Sequence, residues 1–488
     1  MRRMIPTSAL FLILVMLATA VGKEADDSDD PLQFPVDDYI ERNVTVNTFS
    51  DGDVKVTYRL YQHITYVANP VDTDYQSMNV MVPVRIDCED VDATNAPILF
   101  VNSAYGYRSA SVCARGLTNN NSRLALAAGY VVVESGCRGS DNKLDDGIYS
   151  GKAPAAIVDL KAAVRYLRHN DEIMPGNAEW IISSGGSAGE TLSALLGASG
   201  NSHLYDTYLE ELGAADEDDS IYACAAFCPI TDLEHADLAY EWEFRETPRP
   251  NGGLVNQGRS QILKNAFAEY QASLNLQGEI DSETITADNY GAYLVQTYLI
   301  PSANSYLINL SDEEREAYLD TRSWITWSIT GNSATFTFED YAENLYRVKK
   351  LPAFDAFNLL AVENIVFGNE TTNARHFTNY SMRQTTGDPS AEIDNDLKTV
   401  VNLMNPMYFI SQDCCSGCAN YWWIRHGTND TNTALSVITN LAIILENKGT
   451  DVNVSLYWDA RHLANEDPED FIAWIGEVTG YTPPEQQL

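Results

Sequence analysis

Apolar and polar positions along the chain fall into two rhythms. Residues 54–66 and 78–85 alternate as strands do, and residues 97–102 (PILFVN) and 129–134 (GYVVVE) are continuous apolar runs. Such runs suit strands buried on both faces of a parallel sheet. Between 153 and 169 the period changes. Ile157, Leu160, Ala163, Val164 and Leu167 recur at spacings of three and four, which predicts an amphipathic helix. A strand over 180–184, a helix after Ser187 with Leu192, Leu195 and Leu196 on its apolar face, and a strand over 223–228 continue the alternation. This order predicts an α/β fold with a mostly parallel central sheet. After about residue 234 the rhythm breaks. Residues 235–395 are polar and aromatic, and Ser311 to Glu314 (SDEE) has the form of a helix-opening capping box. A strand over 421–424, a helix over 434–445 and a strand over 452–458 restore the pattern. The economical organisation is one core, 49–234 and 396–484, interrupted by an inserted lid domain over 235–395.

Composition agrees with a large globular chain: 488 residues, 45% hydrophobic. The start adds a targeting segment. MRRM, an apolar run over 9–17 and Ala18-Thr19-Ala20 read as a cleaved signal peptide over 1–22, followed by an acidic leader over 23–48 that opens KEADDSDD. Export predicts a secreted protein, extracellular or periplasmic, in which the eight cysteines have access to disulfide chemistry. Cys224 and Cys228, if on one strand, stand about 13 Å apart, too far for a bridge. Cys414, Cys415 and Cys418 lack the second matching pair of a zinc site and read as disulfides or buried thiols. A net charge of −38 excludes nucleic acid as a natural partner and disfavours anionic lipid. Beyond the signal segment no stretch is long and apolar enough for a membrane helix.

The chemistry is carried by Gly185-Gly186-Ser187-Ala188-Gly189, a G-x-S-x-G motif with an apolar strand before it and an amphipathic helix after it. That context predicts the nucleophile elbow of an α/β-hydrolase fold, with Ser187 as nucleophile. Serine needs a base, and in this fold the order is serine, acid, histidine. His462, after the 452–458 strand, is the expected base, with His426 as competitor. Asp430, after the 421–424 strand, is the expected acid, with Asp232 as alternative. One oxyanion donor is the N–H of Ala188. The second is expected from the loop over 102–107, where Gly106 is the first candidate and Tyr105 the next. The reaction requires no cofactor and no metal.

Several stretches resemble bacterial tannases: Tyr66-Val67-Ala68-Asn69-Pro70-Val71-Asp72 with Tyr75-Gln76-Ser77-Met78-Asn79-Val80, the 185–189 elbow, Cys228-Pro229-Ile230-Thr231-Asp232-Leu233, Pro352-Ala353-Phe354-Asp355 and Arg425-His426-Gly427-Thr428. The resemblance runs from about 50 to 480. It implies an α/β-hydrolase core with a lid, hydrolysis of galloyl esters, the triad Ser187, Asp430 and His462, and a small-molecule phenolic ester as partner. It also implies that Lys349 and Glu363 hold galloyl hydroxyls together with a carboxylate two residues after the catalytic acid. Here that position is Asn432, an uncharged acceptor, which leaves room for other phenolic acyl groups. Feruloyl or general carboxylesterase activity is the alternative, and a non-catalytic binding protein on the same fold the remote one.

Overall fold

The apolar runs assemble into a sheet in the computed structural model, which describes residues 30–50, 52–279, 283–412 and 417–482. In chain order the strands are β1 (Ile40–Thr48), β2 (Gly52–Thr65), β3 (Ser77–Ile86), β4 (Glu89–Asp90), β5 (Ile98–Asn102), β6 (Val131–Ser135), β7 (Ile181–Ser184), β8 (Ala223–Phe227), β9 (Thr326–Ser328), β10 (Ser333–Thr335), β11 (Tyr421–Gly427) and β12 (Asp451–Tyr457). The main sheet runs β1-β2-β3-β6-β5-β7-β8-β11-β12, with β4 on β3, while β9 and β10 form a separate hairpin. From β6 to β12 all pairings are parallel, and β1, β2 and β3 add an antiparallel wing. Strands β5, β6, β7 and β8 are buried along their whole length, as their unbroken apolar runs require. The fold is therefore the expected α/β type with a mostly parallel sheet.

One boundary is corrected. The acidic leader expected over 23–48 stops earlier, because Ile40–Thr48 is β1, paired antiparallel with β2 from Ile40↔Leu60 to Thr48↔Gly52. Only Val46 of this strand is buried. An edge strand held mainly by ladder hydrogen bonds leaves little apolar periodicity to read. Residues 1–29, which carry the expected signal peptide, lie outside the described residues. So do Cys414 and Cys415. No bridge joins two described cysteines, and Cys224 and Cys228 are free thiols. Among the described residues no helix is long and apolar enough to cross a membrane.

Strands β8 and β11 are sheet neighbours, yet the chain between them leaves the sheet and returns only after residue 420. Much of this insertion is helical, including Leu233–Phe244, Gln257–Leu274 and Asp312–Asp320, the last opened by the Ser311/Glu314 capping box. Among the described residues it shares one apolar cluster with the core. Trp242 stacks on Phe267, Tyr290 and Phe338, with ring centroids 5.0, 5.5 and 5.1 Å away. These rings belong to the same apolar cluster as the helices on the sheet.

Two buried carboxyls on the helix Leu233–Phe244 make stability depend on pH. Burial, then the charge of Asp355, pushes Asp237 up to about 7. Burial, with a further push from Asp430, lifts Glu243 to about 8. A folded state that holds these protons more tightly than the unfolded chain gains stability that is complete below the unfolded value of about 4. That stability is lost as pH rises through the folded values. Tm is expected to fall between about pH 5 and pH 8.5, by an amount on the order of a few kcal/mol in ΔG. Glu243→Gln keeps an acceptor for the Leu435 N–H, which Glu243 now accepts at 2.7 Å, and should flatten the slope. An unchanged slope in that variant would remove Glu243 from the explanation.

Candidate active site

Parallel pairing brings the C-terminal ends of β7, β8, β11 and β12 to one edge. Ser183 pairs with Cys224, Phe227 with Arg425, and Gly427 with Tyr457. The loops that leave these ends carry Ser187, Cys228, Asp430 and His462. Ligands of open α/β sheets bind at this edge.

Ser187 is the N-cap of the helix Ala188–Ala198, with φ 56° and ψ −115°. A non-glycine residue there is strained and must be held by its surroundings. The holding group is Asn102, at the end of β5. Its Nδ2 donates to Gly189 O at 3.0 Å, Ser193 Oγ at 3.1 Å and Ser184 O at 3.3 Å. The fit leaves no room for a side chain on either side of the turn. A Cβ on Gly185 would meet the Asn102 amide at 2.8 Å, and one on Gly189 would meet it at 2.5 Å. In the sequence Asn102 is only the polar end of an apolar run, and nothing marks it as this clamp. Glu190, in the first helical turn, is buried, and burial pushes its carboxyl well above the usual carboxylate range.

His462 lies between the other two residues of the expected triad. Its Nε2 is 3.2 Å from Ser187 Oγ, and its Nδ1 is 2.7 Å from Asp430 Oδ2. Burial opposes the charge on Asp430. The hydrogen bond from His462, the neighbouring histidines and the Asn432 N–H outweigh it and hold Asp430 at about 2. An ionised Asp430 fixes the Nδ1–H tautomer and leaves Nε2 free to accept the serine proton. The acid loop and the histidine loop are tied by backbone bonds, Thr428 N–H to Tyr457 O at 2.9 Å and Asn429 N–H to Ala460 O at 2.8 Å. The competitors fall away on geometry. His426 is buried with Nδ1 3.7 Å from Asp430 Oδ2, and burial lowers its pKa. Asp232 accepts from His235 at 2.9 Å, from Asn405 at 2.9 Å and from Tyr270, so its lone pairs are committed elsewhere.

The turn over Tyr105–Tyr107 packs against both the helix Ala188–Ala198 and the helix Val362–Val366, which carries Glu363. The N–H groups of Tyr105, Tyr107 and Arg108 donate to Ser103, Ala104 and Tyr105 carbonyls. No such bond claims Gly106 N–H among the described residues. Gly106 has φ 61° and open space around its α-carbon, so it can approach a ligand closely. Glu363 is buried with its side chain 4% exposed, and Lys349 Nζ stands 3.8 Å from Glu363 Oε1 and 4.3 Å above the Phe354 ring. Neither residue is a freely solvated surface charge. Burial raises the Glu363 carboxyl and Lys349 draws it back. Asn432 turns toward the acid, since its backbone N–H and its Nδ2 donate to Asp430 Oδ1 at 2.9 and 3.2 Å. Its Oδ1 remains as an acceptor.

A crystal structure of Fusobacterium nucleatum tannase superposes with a TM-score of 0.80 at 36% identity, covering 92% of this chain and 99% of that one. The chain belongs to the tannase family. A tannin acyl hydrolase in complex with ethyl gallate matches at 33% identity and TM-score 0.79, over 92% of this chain and 98% of that one. The family model described as BD-FAE matches residues 105–268. Esterase LipQ of Mycobacterium tuberculosis is 35% identical over 88 residues, a segment that spans only 18% of this chain and 20% of the esterase. The tannase-family chain is thus a carboxylic ester hydrolase.

Much of what resembles tannases in the sequence is scaffold. Gln76 donates to Asp159, which also accepts a fork of bonds from Arg138. Asn79 donates to Cys113 O at 2.7 Å. Asp355 accepts from His376, Asn364 and Thr378, and Arg425 donates to Asp467 at 2.9 Å. Among these motifs the elbow, Cys228 at the end of β8 and the end of β11 with the loop after it lie at the triad.

Proposed function

We propose that the protein is a secreted serine esterase that hydrolyses phenolic, galloyl-type esters through an acyl-enzyme. The observation that carries the reading is the Ser187–His462–Asp430 chain, with contacts of 3.2 and 2.7 Å. Ser187 Oγ attacks the ester carbonyl as His462 Nε2 takes its proton. His462 then gives that proton to the leaving alcohol. Water enters, is deprotonated by the same nitrogen and releases the acid. Ala188 and Gly106 N–H groups are the donors for the oxyanion. The signal-peptide reading of residues 1–22 supports secretion.

For the acyl group, Glu363 and Asn432 Oδ1 offer acceptors for phenolic O–H groups. Lys349 offers an ammonium that favours partial phenolate character. The structural relative that holds ethyl gallate supports the same class of acid. The test is a panel of methyl gallate, methyl ferulate and p-nitrophenyl acetate. Higher kcat/KM on methyl gallate is expected, and preference for the short acetate would overturn the phenolic reading. Lys349→Ala should raise KM for methyl gallate about 10–100-fold, the size of a charged hydrogen bond, and leave p-nitrophenyl acetate nearly unaffected.

Asn432 favours a broader phenolic specificity than a second carboxylate would give. Asn432→Asp removes the Nδ2 donor to Asp430 and sets one carboxylate against another. Gallate preference over ferulate should rise about tenfold. The acidic limb of activity should move to higher pH, because the added negative charge favours the imidazolium. Unchanged preference would place residue 432 outside the acyl pocket.

A further inference from the structure

Cys228 has no part in the ester chemistry, yet it is aimed at it. The residue ends β8, the strand between β7 and β11, and sits in left-handed backbone with φ 54°. Its N–H donates to Arg425 O at 2.8 Å, which fixes the turn. The thiol is buried and free. Its Sγ, one Asp430 oxygen and one His462 nitrogen all lie within 4.8 Å of one another. The tertiary fold thus brings a sulfur, an oxygen and a nitrogen to one point from the ends of three neighbouring strands.

We propose that this triangle is a binding site for a soft or borderline divalent cation, zinc or cadmium, and that occupancy switches the esterase off. The ligand types are those such ions prefer. Metal–ligand lengths of about 2.0–2.3 Å in a tetrahedron need ligand atoms roughly 3.3–3.8 Å apart, so side-chain rotation must open the 2.7 Å His462–Asp430 contact and draw in the pairs that now lie wider, within 4.8 Å. The His462 side chain is 22% exposed, so the ion enters by the route the ester uses.

The proton balance explains the switch. In the metal-free site Cys228 carries S–H, Asp430 is ionised and His462 carries its proton on Nδ1, the nitrogen that faces Asp430. The cation binds the Cys228 thiolate, the Asp430 carboxylate and the His462 Nδ1 lone pair, and water fills the fourth position. The thiol proton leaves to solvent. The imidazole stays neutral, its proton now on Nε2. That nitrogen faces Ser187 and has no lone pair left to accept the serine proton.

The inhibition rests on the proposed role of His462, whereas the binding does not. The test uses the full chain with cadmium as probe. The ultraviolet thiolate-to-cadmium band is compared between the parent and Cys228→Ser, so that bands from other cysteines cancel in the difference. Fluorophosphonate labelling of Ser187 is timed with and without cadmium, each variant against its own metal-free rate, with chelator to reverse it. The expected result is a band lost in Cys228→Ser and reduced in His462→Ala. The cadmium concentration for half-inhibition should be at least about tenfold higher in Cys228→Ser and in Cys228→Ala. An identical band in parent and Cys228→Ser, or equal inhibition of both, overturns the proposal. An esterase reading that failed would show instead as no labelling in the metal-free parent.

Discussion

Ser187→Ala should lower kcat/KM on methyl gallate by about 10⁴–10⁶-fold and abolish fluorophosphonate labelling, while the protein stays folded. The size follows from losing the proposed nucleophile, with the oxyanion donors and the acyl pocket left to supply residual catalysis. Intact folding follows from where the strain is held. The φ of 56° at residue 187 is imposed by Asn102 and by close packing at Gly185 and Gly189, none of which involves the serine hydroxyl. The hydrogen bond from Glu190 N–H at 2.9 Å reaches the backbone oxygen of residue 187 and survives the change. Alanine adds no atom. Melting and kinetics measured on one preparation separate the two outcomes. Retained turnover above a tenth of the parent would end the serine mechanism, and loss of turnover with loss of folding would leave the variant silent and call for Ser187→Gly or Ser187→Cys.

Asp430→Asn should cost about 10⁴-fold in kcat, for a reason specific to its surroundings. One carboxylate oxygen, Oδ1, receives two donors from Asn432, and the other, Oδ2, receives His462 Nδ1–H. An amide replacing the carboxylate must put its oxygen on the side of the two donors. Its NH₂ then points at His462 Nδ1. The imidazole has to accept there, so its proton sits on Nε2, the nitrogen that should receive the proton of Ser187. The variant holds the right geometry in the wrong tautomer. KM is expected to change little, because the Asp430 side chain is fully buried behind His462. A loss below about tenfold would show that the carboxylate merely packs. Double substitution Asp430→Asn with Asn432→Ala removes only the longer, side-chain donor; the backbone N–H of residue 432 still sets the amide orientation, so the rate should stay low.

The sheet was legible because burial on both faces leaves unbroken apolar runs, and the elbow because a strained turn demands glycine around a serine. Chain order pointed to Asp430 and His462, each after a parallel strand whose place in the sheet is set by topology, and the structure brings both to Ser187. The strand Ile40–Thr48 was hidden because it is an exposed edge, stabilised by backbone bonds that any side chains permit. The clamp by Asn102, the buried Glu190 and the thiol of Cys228 were hidden for a different reason. Each acts across pairs of strands far apart in the chain, and no periodicity records what lies opposite.

The sequence by itself determined the α/β class and pointed to Ser187 and the order of its proposed partners, because these readings depend on local pattern and on a fixed topology. Only the tertiary structure decided that Asn432 serves the acid with its amide nitrogen and that Glu363 is buried against Lys349. Only it brought Cys228 within reach of Asp430 and His462. Those relations are set by strand register and by loop packing at one sheet edge, where a residue's chemistry is defined by neighbours that the linear chain does not name.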